Sequence, residues 1–286
     1  MKTENPWLHH YAIFVGLCAL AAVAAGAVVT SLERPIATNS AITINPAFES
    51  WHLILGIVAG VLMVGLAVWV IFEKPGKQLV QFGWIALAAG VIEGVLGARV
   101  VLQSLPPLTD ILHALLGQLS FGVVVAIAVM TSESWNHGPE PIEDTWKPSL
   151  RSLAIAVPAI ILLQTTLGAS YRYRAIGVLW HILNAMIVLL LILIVAVFLI
   201  RQFPLHPTLR PAAVALAVIT GTQVMLGFTT FMMLILFPET SLAVVITSVL
   251  HVTTGSLTFG AGLALAVLIR YNIRVGEVTH RSVTAK

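Results

Sequence analysis

Eight long apolar runs restrict this chain to very few folds. A helix needs about 20 mostly apolar residues to cross a bilayer, and lipid-exposed irregular backbone is not tolerated there because its polar groups find no partners. The runs of that length are roughly 11–31, 51–72, 79–101, 107–130, 152–171, 175–200, 211–237 and 241–269. They predict an all-α membrane protein with eight transmembrane helices.

The composition supports this prediction. Hydrophobic residues make up 58% of the chain and charged residues only 9%, whereas a soluble domain carries about 25% charged residues. The surface must therefore be covered largely by membrane lipid. Basic residues are nowhere clustered with interleaved aromatic residues, so we expect no nucleic-acid partner. Cys18 is the single cysteine, which excludes an intrachain disulfide.

The distribution of Lys and Arg predicts the orientation. With the N-terminus inside, the inner loops and ends hold eleven of them, namely Lys2, Lys74, Lys77, Lys147, Arg151, Arg201, Arg210, Arg270, Arg274, Arg281 and Lys286. The outer side holds four, namely Arg34, Arg99, Arg172 and Arg174. Because positive residues collect on the cytoplasmic side, this asymmetry favours an N-in, C-in topology.

The chain divides into two halves of four runs each. The polar, proline-containing segment 131–150 separates them and is predicted to be a cytoplasmic linker. We therefore expect two tandem four-helix bundles, residues 1–130 and residues 151–286. From here on, the first half means the first four apolar runs, and the second half means the last four.

A repeat relates the two halves. The odd-numbered runs share a segment that ends in glycine: "EGVLG" at 93–97, "QTTLG" at 164–168, "QVMLG" at 223–227 and, more weakly, "AVAAG" at 22–26. Each even-numbered run carries a histidine followed four residues later by a small residue: His52 and Gly56, His113 and Gly117, His181 and Ala185, His251 and Gly255. This pattern indicates a parallel repeat, as in some transporters.

The histidine spacing suggests a metal site. Residues four apart lie on one helix face, so a small residue leaves a flat recess beside each imidazole that a planar macrocycle would fill. Two pairs are predicted, His52 with His113 and His181 with His251, each supplying two axial ligands to one haem iron near the outer side. The alternatives are a proton relay and simple packing, since small residues are common where membrane helices meet.

Charged residues near these histidines are further candidates. Arg99, Arg172 and Arg174 stand at the outer helix ends, where they would bind haem propionates or anchor the helices at the interface. Glu49 precedes His52 by three residues and shares its helix face. A carboxylate there would move protons or hold water, or it would only be a helix-end charge. Glu93 aligns with a glutamine in the second half. It is predicted to be a neutral acid that holds helices together, or a step in a proton path.

Four segments resemble the haem A synthase family. They are the E-x-x-H at 49–52, "LGARVVLQSLPPLTDILHALLGQL" at 96–119, "LLQTTLGASYRYRAIGVLWHI" at 162–182 and "LHVTTGSLTFGAGLALA" at 250–266. The resemblance spans nearly the whole chain, and the segments occur in the same order. The resemblance implies an eight-helix oxidoreductase in the bacterial cytoplasmic (inner) membrane. Its activity would be oxidation of the C8 methyl group of haem O to a formyl group, which gives haem A for terminal oxidases.

The resemblance also implies site residues and partners. His52 and His113 would ligate the substrate haem, with Glu49 as an essential neighbour. His181 and His251 would hold a haem b cofactor. Haem O would be the substrate and haem A the product, and a haem O synthase and terminal oxidase subunits would be partners.

The sequence departs from the family in two places. The first outer loop, "SLERPIATNSAITINPAFES", lacks the cysteine pair that many members carry, so a mechanism through those thiols is excluded. The loop between the fifth and sixth runs is short, about "RYRA". Two other functions remain open: a haem-binding electron-transfer or haem-handling protein without porphyrin chemistry, and a transporter with histidine proton relays.

Overall fold

The protein is almost entirely helical. The computed structural model describes residues 5–33, 46–73, 76–102, 107–136, 139, 141–144 and 149–275, without the side chains of 33, 99–102 and 275. Within these ranges, eight helices are long and apolar enough to cross a membrane. They are α1 (Pro6–Glu33), α2 (Pro46–Glu73), α3 (Lys77–Leu102), α4 (Pro107–Met130), α6 (Leu150–Arg172), α7 (Val178–Gln202), α8 (Leu209–Leu236) and α9 (Leu242–Asn272). The short elements are α5 (Glu133–Asn136), β1 (Ile142–Asp144) and β2 (Ile273–Val275).

Local sequence signals set the helix starts. Pro6, Pro46 and Pro107 are the first residues of their helices, a position where the missing N–H costs nothing. The Asn5 side chain accepts hydrogen bonds from the first turn of α1, at 3.1 and 3.4 Å. Ser149 caps α6 in the same way, at 3.2 Å. For this reason α1 and α2 begin earlier than their apolar runs predict.

Each half forms a closed set of helix contacts. In the first half, α1 packs on α2, α2 on α3, α3 on α4, and α4 on α1. In the second half, α6, α7, α8 and α9 repeat this order. The helices that carry the histidines of the repeat are α2 and α4 in the first half and α7 and α9 in the second. Within each half, these two helices therefore stand diagonally opposite each other. Histidines on these helices can face one another across the interior of each half.

The two halves meet through α4 and α9. Phe121 of α4 lies against Gly260 of α9, where a Cβ would come within 2.8 Å of its ring. Reciprocally, Phe259 of α9 lies against Gly122 of α4, and a Cβ there would also collide with the ring. The same Phe-Gly dipeptide thus forms both sides of the contact. Helix α9 additionally packs on α1.

Close packing is concentrated at one end of the helices. The largest fully buried side chains all lie toward the end away from the four histidines of the repeat: Leu8, Val15, Leu66, Ile127, Leu150, Ile192, Leu199, Leu209, Leu216, Leu265, Ile269 and Ile273. At the histidine end, Gly56, Gly94 and Gly221 have no described atom within 4 Å of the position a Cβ would take. The fully buried large side chains are thus concentrated at the end away from the histidines.

The predicted linker carries structure of its own. Strand β1 pairs in parallel with β2, which follows α9. Asp144 accepts a hydrogen bond from the backbone N–H of Leu150 at 2.6 Å, and so holds the start of α6. Trp135 stacks on Tyr271 with ring centres 4.1 Å apart. The described part of the linker is thus attached to the second half, which its polar composition did not predict.

His206 makes the start of α8 sensitive to pH. Its Nδ1 accepts hydrogen bonds from the backbone N–H groups of Leu209 and Thr208, at 3.2 and 3.3 Å. The residue is only 8% exposed, and burial lowers the pKa of its imidazole below the ordinary value. As the pH falls through about 6.5, the unfolded chain therefore takes up a proton before the folded protein does.

We therefore expect thermal stability in detergent to fall as the pH drops below about 6.5. The His206→Asn variant keeps an acceptor for the α8 backbone but does not titrate. Its midpoint of unfolding should decline less over the same pH range. Parallel declines in the two proteins would mean that other groups cause the acid sensitivity.

Candidate functional site

The four histidines of the repeat meet as two pairs. In the first half, the ring centres of His52 and His113 are 6.2 Å apart and their planes cross at 67°. In the second half, His181 and His251 are also 6.2 Å apart, with planes at 85°. These are the pairs predicted from the sequence. The equal separation means that both halves position their imidazoles in the same way.

Each imidazole packs against the last glycine of the motif on the preceding helix. A Cβ built on that glycine would lie close to Cε1 of the histidine: 2.8 Å for Gly26 and His52, 3.3 Å for Gly97 and His113, 2.9 Å for Gly168 and His181, and 2.9 Å for Gly227 and His251. At Gly26, Gly168 and Gly227 these distances are below 3.0 Å, so a side chain there would displace the imidazole, and at Gly97 the ring would have to move by a few tenths of an ångström. The repeated glycine spacing is thus explained by close approach of the ring to the helix backbone.

In three of the four helices, the residue four positions before that glycine faces Nδ1 of the histidine. Nδ1 of His52 lies 3.1 Å from the Ala22 carbonyl oxygen, and Nδ1 of His181 lies 3.3 Å from that of Gln164. Nδ1 of His113 lies 3.2 Å from a carboxylate oxygen, Oε1 of Glu93. An imidazole that donates from Nδ1 presents Nε2 as the free ligand atom.

His113 and His251 both lack a hydrogen bond of full geometry at Nδ1. Each Nδ1 is buried without such a partner among the described residues, as are Oε2 of Glu93 and Oε1 of Gln223. For His113 the Glu93 carboxylate nevertheless lies 3.2 Å away. Gln223 occupies the position in its helix that Glu93 and Gln164 occupy in theirs.

Gln164 makes additional contacts in the second half. Its amide nitrogen lies 3.1 Å from Nδ1 and 3.2 Å from Nε2 of His181, and it donates to the His181 carbonyl at 3.0 Å. Asn184 donates to its amide oxygen at 2.8 Å. If Nε2 of His181 bound a metal, the Gln164 amide would move away from that ring atom. Its hydrogen bond to the His181 carbonyl would remain.

Two of the small residues that follow the histidines have a different role from the one predicted. At Gly117 a Cβ would lie 3.3 Å from the Glu93 carboxylate, and at Gly255 it would lie 3.1 Å from the Gln223 amide. These glycines accommodate a polar side chain from the neighbouring helix. Only Gly56 borders open space among the three glycines of this set. The predicted recess is therefore partly filled by side chains.

The separation of the two imidazoles in each pair is compatible with one metal ion between them. Two imidazoles on opposite sides of one metal have ring centres about 6 Å apart, given a metal–nitrogen bond of about 2 Å and about 1 Å from nitrogen to ring centre on each side. Both pairs match this separation at 6.2 Å. Among the described residues, no group of three or more His, Cys, Asp or Glu side chains is placed to hold a bare metal ion.

The predicted arginines have separate surroundings. Arg172, at the end of α6, donates to the Thr30 carbonyl of α1 at 2.5 Å and so bridges the two halves. Arg174 follows in the turn before α7 with a positive φ of 60°. The side chain of Arg99 lies outside the described part of the structure. Arg172 and Arg174 are thus near the histidine end, as predicted, but Arg172 already binds a backbone oxygen.

Two acidic residues belong to the first half of the site. Glu49 is exposed in the first turn of α2, one turn before His52. Glu93 contacts His113 directly, a partner that the sequence pattern did not predict. The alignment of Glu93 with Gln164 and Gln223 could have indicated this contact. All three residues lie one turn before a glycine against which a histidine packs.

A cavity of about 510 Å³ lies elsewhere, between α1, α4, α8 and α9. It is lined mainly by apolar residues, with His9, Ser132, Ser134 and Thr208 among its polar groups. The paired histidines do not line it, so it is separate from the site described here.

The fold and the hydropathy of its helices define the class: this is a multi-pass, α-helical membrane protein. No family model matches the chain, and no curated protein matches it.

Proposed function

We propose that this protein is a haem-binding membrane oxidoreductase of the haem A synthase type. Its reaction would be oxidation of the C8 methyl group of haem O to a formyl group, giving haem A for terminal oxidases. The observation that carries the proposal is the repeated pair of imidazoles with ring centres 6.2 Å apart. The sequence resemblance supplies the particular reaction.

The proposal includes an arrangement in the membrane. The two halves would be tandem four-helix bundles, 1–130 and 151–286, joined by the cytoplasmic linker 131–150. Both termini would face the cytoplasm in a bacterial inner membrane. The closed helix contacts within each half and the excess of Lys and Arg in the inner loops support this arrangement. A haem O synthase and terminal oxidase subunits are the proposed partners.

Each residue of the site has a defined task in this proposal. His52 and His113 hold the substrate haem, and His181 and His251 hold haem b. Glu49 belongs to the first half and has no equivalent in the second. It would transfer a proton or position water at the substrate. A bound haem supplies the redox and oxygen chemistry, and the protein supplies binding and orientation. Gly26, Gly97, Gly168 and Gly227 let the imidazoles lie against the helix backbone.

A second function is supported by the equality of the two sites. Since the ring separations are the same in both halves, both pairs can hold iron with two axial ligands and no open position. That arrangement suits electron transfer or haem handling without chemistry on the porphyrin. The acidic residues of the first half favour the oxidoreductase.

One experiment separates these functions. The protein is produced together with a haem O source, purified, and its haem is extracted for mass analysis. Hydroxylated or formylated haem supports the oxidoreductase. Haem B alone, with a low-spin spectrum, supports the electron-transfer function. A protein that binds no haem under any loading condition would eliminate both and leave the proton-relay transporter.

The glycine contacts give a sharper test of the second pair. We expect Gly227→Ala to displace the His251 ring, because the new Cβ would lie 2.9 Å from its Cε1. The b-type spectrum should weaken or shift toward a high-spin form. Gly221→Ala, on the same helix, is the matched control, since no described atom lies within 4 Å of its Cβ position. Equal spectra for the two variants would contradict the assigned packing.

A further inference from the structure

The surroundings of the four histidines differ in charge at one position of the repeat. The position four before the supporting glycine is Ala22, Glu93, Gln164 or Gln223 in the four helices. Only Glu93 can carry a charge. It belongs to the first pair, the one proposed to hold the substrate haem. The two sites therefore share their ring separation but differ in the chemistry behind one imidazole.

The contact of Glu93 is direct and shielded. Its Oε1 lies 3.2 Å from Nδ1 of His113, and the two side chains are 25% and 23% exposed. Its Oε2 is buried with no hydrogen-bond partner among the described residues. Gly117, one turn beyond the histidine, leaves space for the carboxylate, since a Cβ there would approach within 3.3 Å. The chain thus positions this carboxylate behind the ring nitrogen that faces away from a metal.

A carboxylate that accepts the Nδ1–H of a metal-bound histidine makes that histidine a stronger donor. A stronger donor stabilises the oxidised metal and lowers its reduction potential. A glutamine in the same place gives a weaker effect, because a neutral amide oxygen is a poorer acceptor than a carboxylate.

We propose that Glu93 is a positioning residue that sets the donor strength of His113 and gives the first site a lower reduction potential than the second. This inference rests on the proposed function, because it requires both pairs to bind haem. Glu93 need not touch the porphyrin. It acts through His113, in contrast to Glu49, which stands one turn before His52 on the same helix.

A purely structural role for Glu93 predicts a different outcome. A side chain that only joins α3 to α4 would affect stability when altered, and Gln would replace Glu with little change. The reduction potential of bound haem distinguishes the two roles, because the isosteric Glu93→Gln variant keeps the shape and removes the charge.

The test uses the full-length protein with haem B added after purification. In the His251→Ala background, only the first site is measured, and Glu93→Gln should raise its midpoint potential and alter its electron paramagnetic resonance g-values. The matched reverse variant is Gln223→Glu, measured at the second site in the His52→Ala background. It should lower the potential there, since it places a carboxylate behind His251.

The outcomes separate this inference from the proposed function. Opposite shifts in the two variants support the role of Glu93. Haem bound at the first site with an unchanged potential and unchanged g-values in Glu93→Gln would overturn this inference and leave the haem sites intact. Failure of the unmodified protein to bind haem B at either pair would overturn both.

Discussion

Replacing His251 with Ala is expected to abolish the b-type haem spectrum of the second site. The variant removes one of two imidazoles whose rings are 6.2 Å apart, and the remaining His181 alone cannot hold iron with two axial ligands. His181→Ala should have the same effect. The measurement is the reduced-minus-oxidised absorption spectrum of the purified protein, normalised to protein. We expect nearly all of the low-spin signal from this site to disappear.

His10→Ala is the control for this experiment. His10 lies at the start of α1, at the opposite end of the helix from Gly26, and its Nδ1 lies 2.6 Å from the Pro6 carbonyl oxygen in its own helix. The spectrum of this variant should equal that of the unmodified protein. Retention of the full spectrum in both His181→Ala and His251→Ala would disprove haem ligation by the second pair.

Replacing Glu49 with Gln is expected to stop conversion of haem O while haem stays bound. The carboxylate is exposed one turn from His52 and has no equivalent in the second half, where Val178 holds the position. A general acid or base contributes about 10²–10⁴-fold to a rate, so turnover should fall by roughly that factor. The measurement is the ratio of oxidised haem to haem O, together with the Soret absorbance of the same sample.

Glu73→Gln is the matched control for Glu49→Gln. Glu73 lies at the other end of α2, where it accepts a hydrogen bond from the Trp69 indole at 2.7 Å, far from the histidines. Its removal should leave conversion unchanged. If Glu49→Gln converted haem O at the full rate, Glu49 would be only a charge that favours the start of the helix.

Much of the fold could be predicted because the bilayer imposes one strong pattern. Length and hydropathy gave all eight spanning helices, and α4 was predicted to the residue at 107–130. Errors occur where local chemistry extends a helix beyond its apolar run. Pro6 and Pro46 start α1 and α2 within segments that are not yet continuously apolar.

The site could be predicted only in part. The histidine pairs followed from the repeat, because the same spacing on alternate helices brings the same side chains together. The partners of each ring did not follow, since they depend on how adjacent helices are rotated about their axes. Glu93 was predicted to join helices or to form a step in a proton path, and its contact with His113 does join α3 to α4, but the sequence did not identify His113 as its partner. The pairing of β1 with β2 joins segments more than 100 residues apart, which local patterns cannot indicate.

The position of α9 has a consequence for biogenesis. This helix packs on α1, α4, α6 and α8, yet it follows all of them in the chain. During synthesis, the faces of α1 and α4 that α9 covers must therefore remain against lipid or an insertion factor until α9 has left the ribosome and entered the membrane. A translation arrest before α9 would leave these faces of α1 and α4 without the helix that covers them.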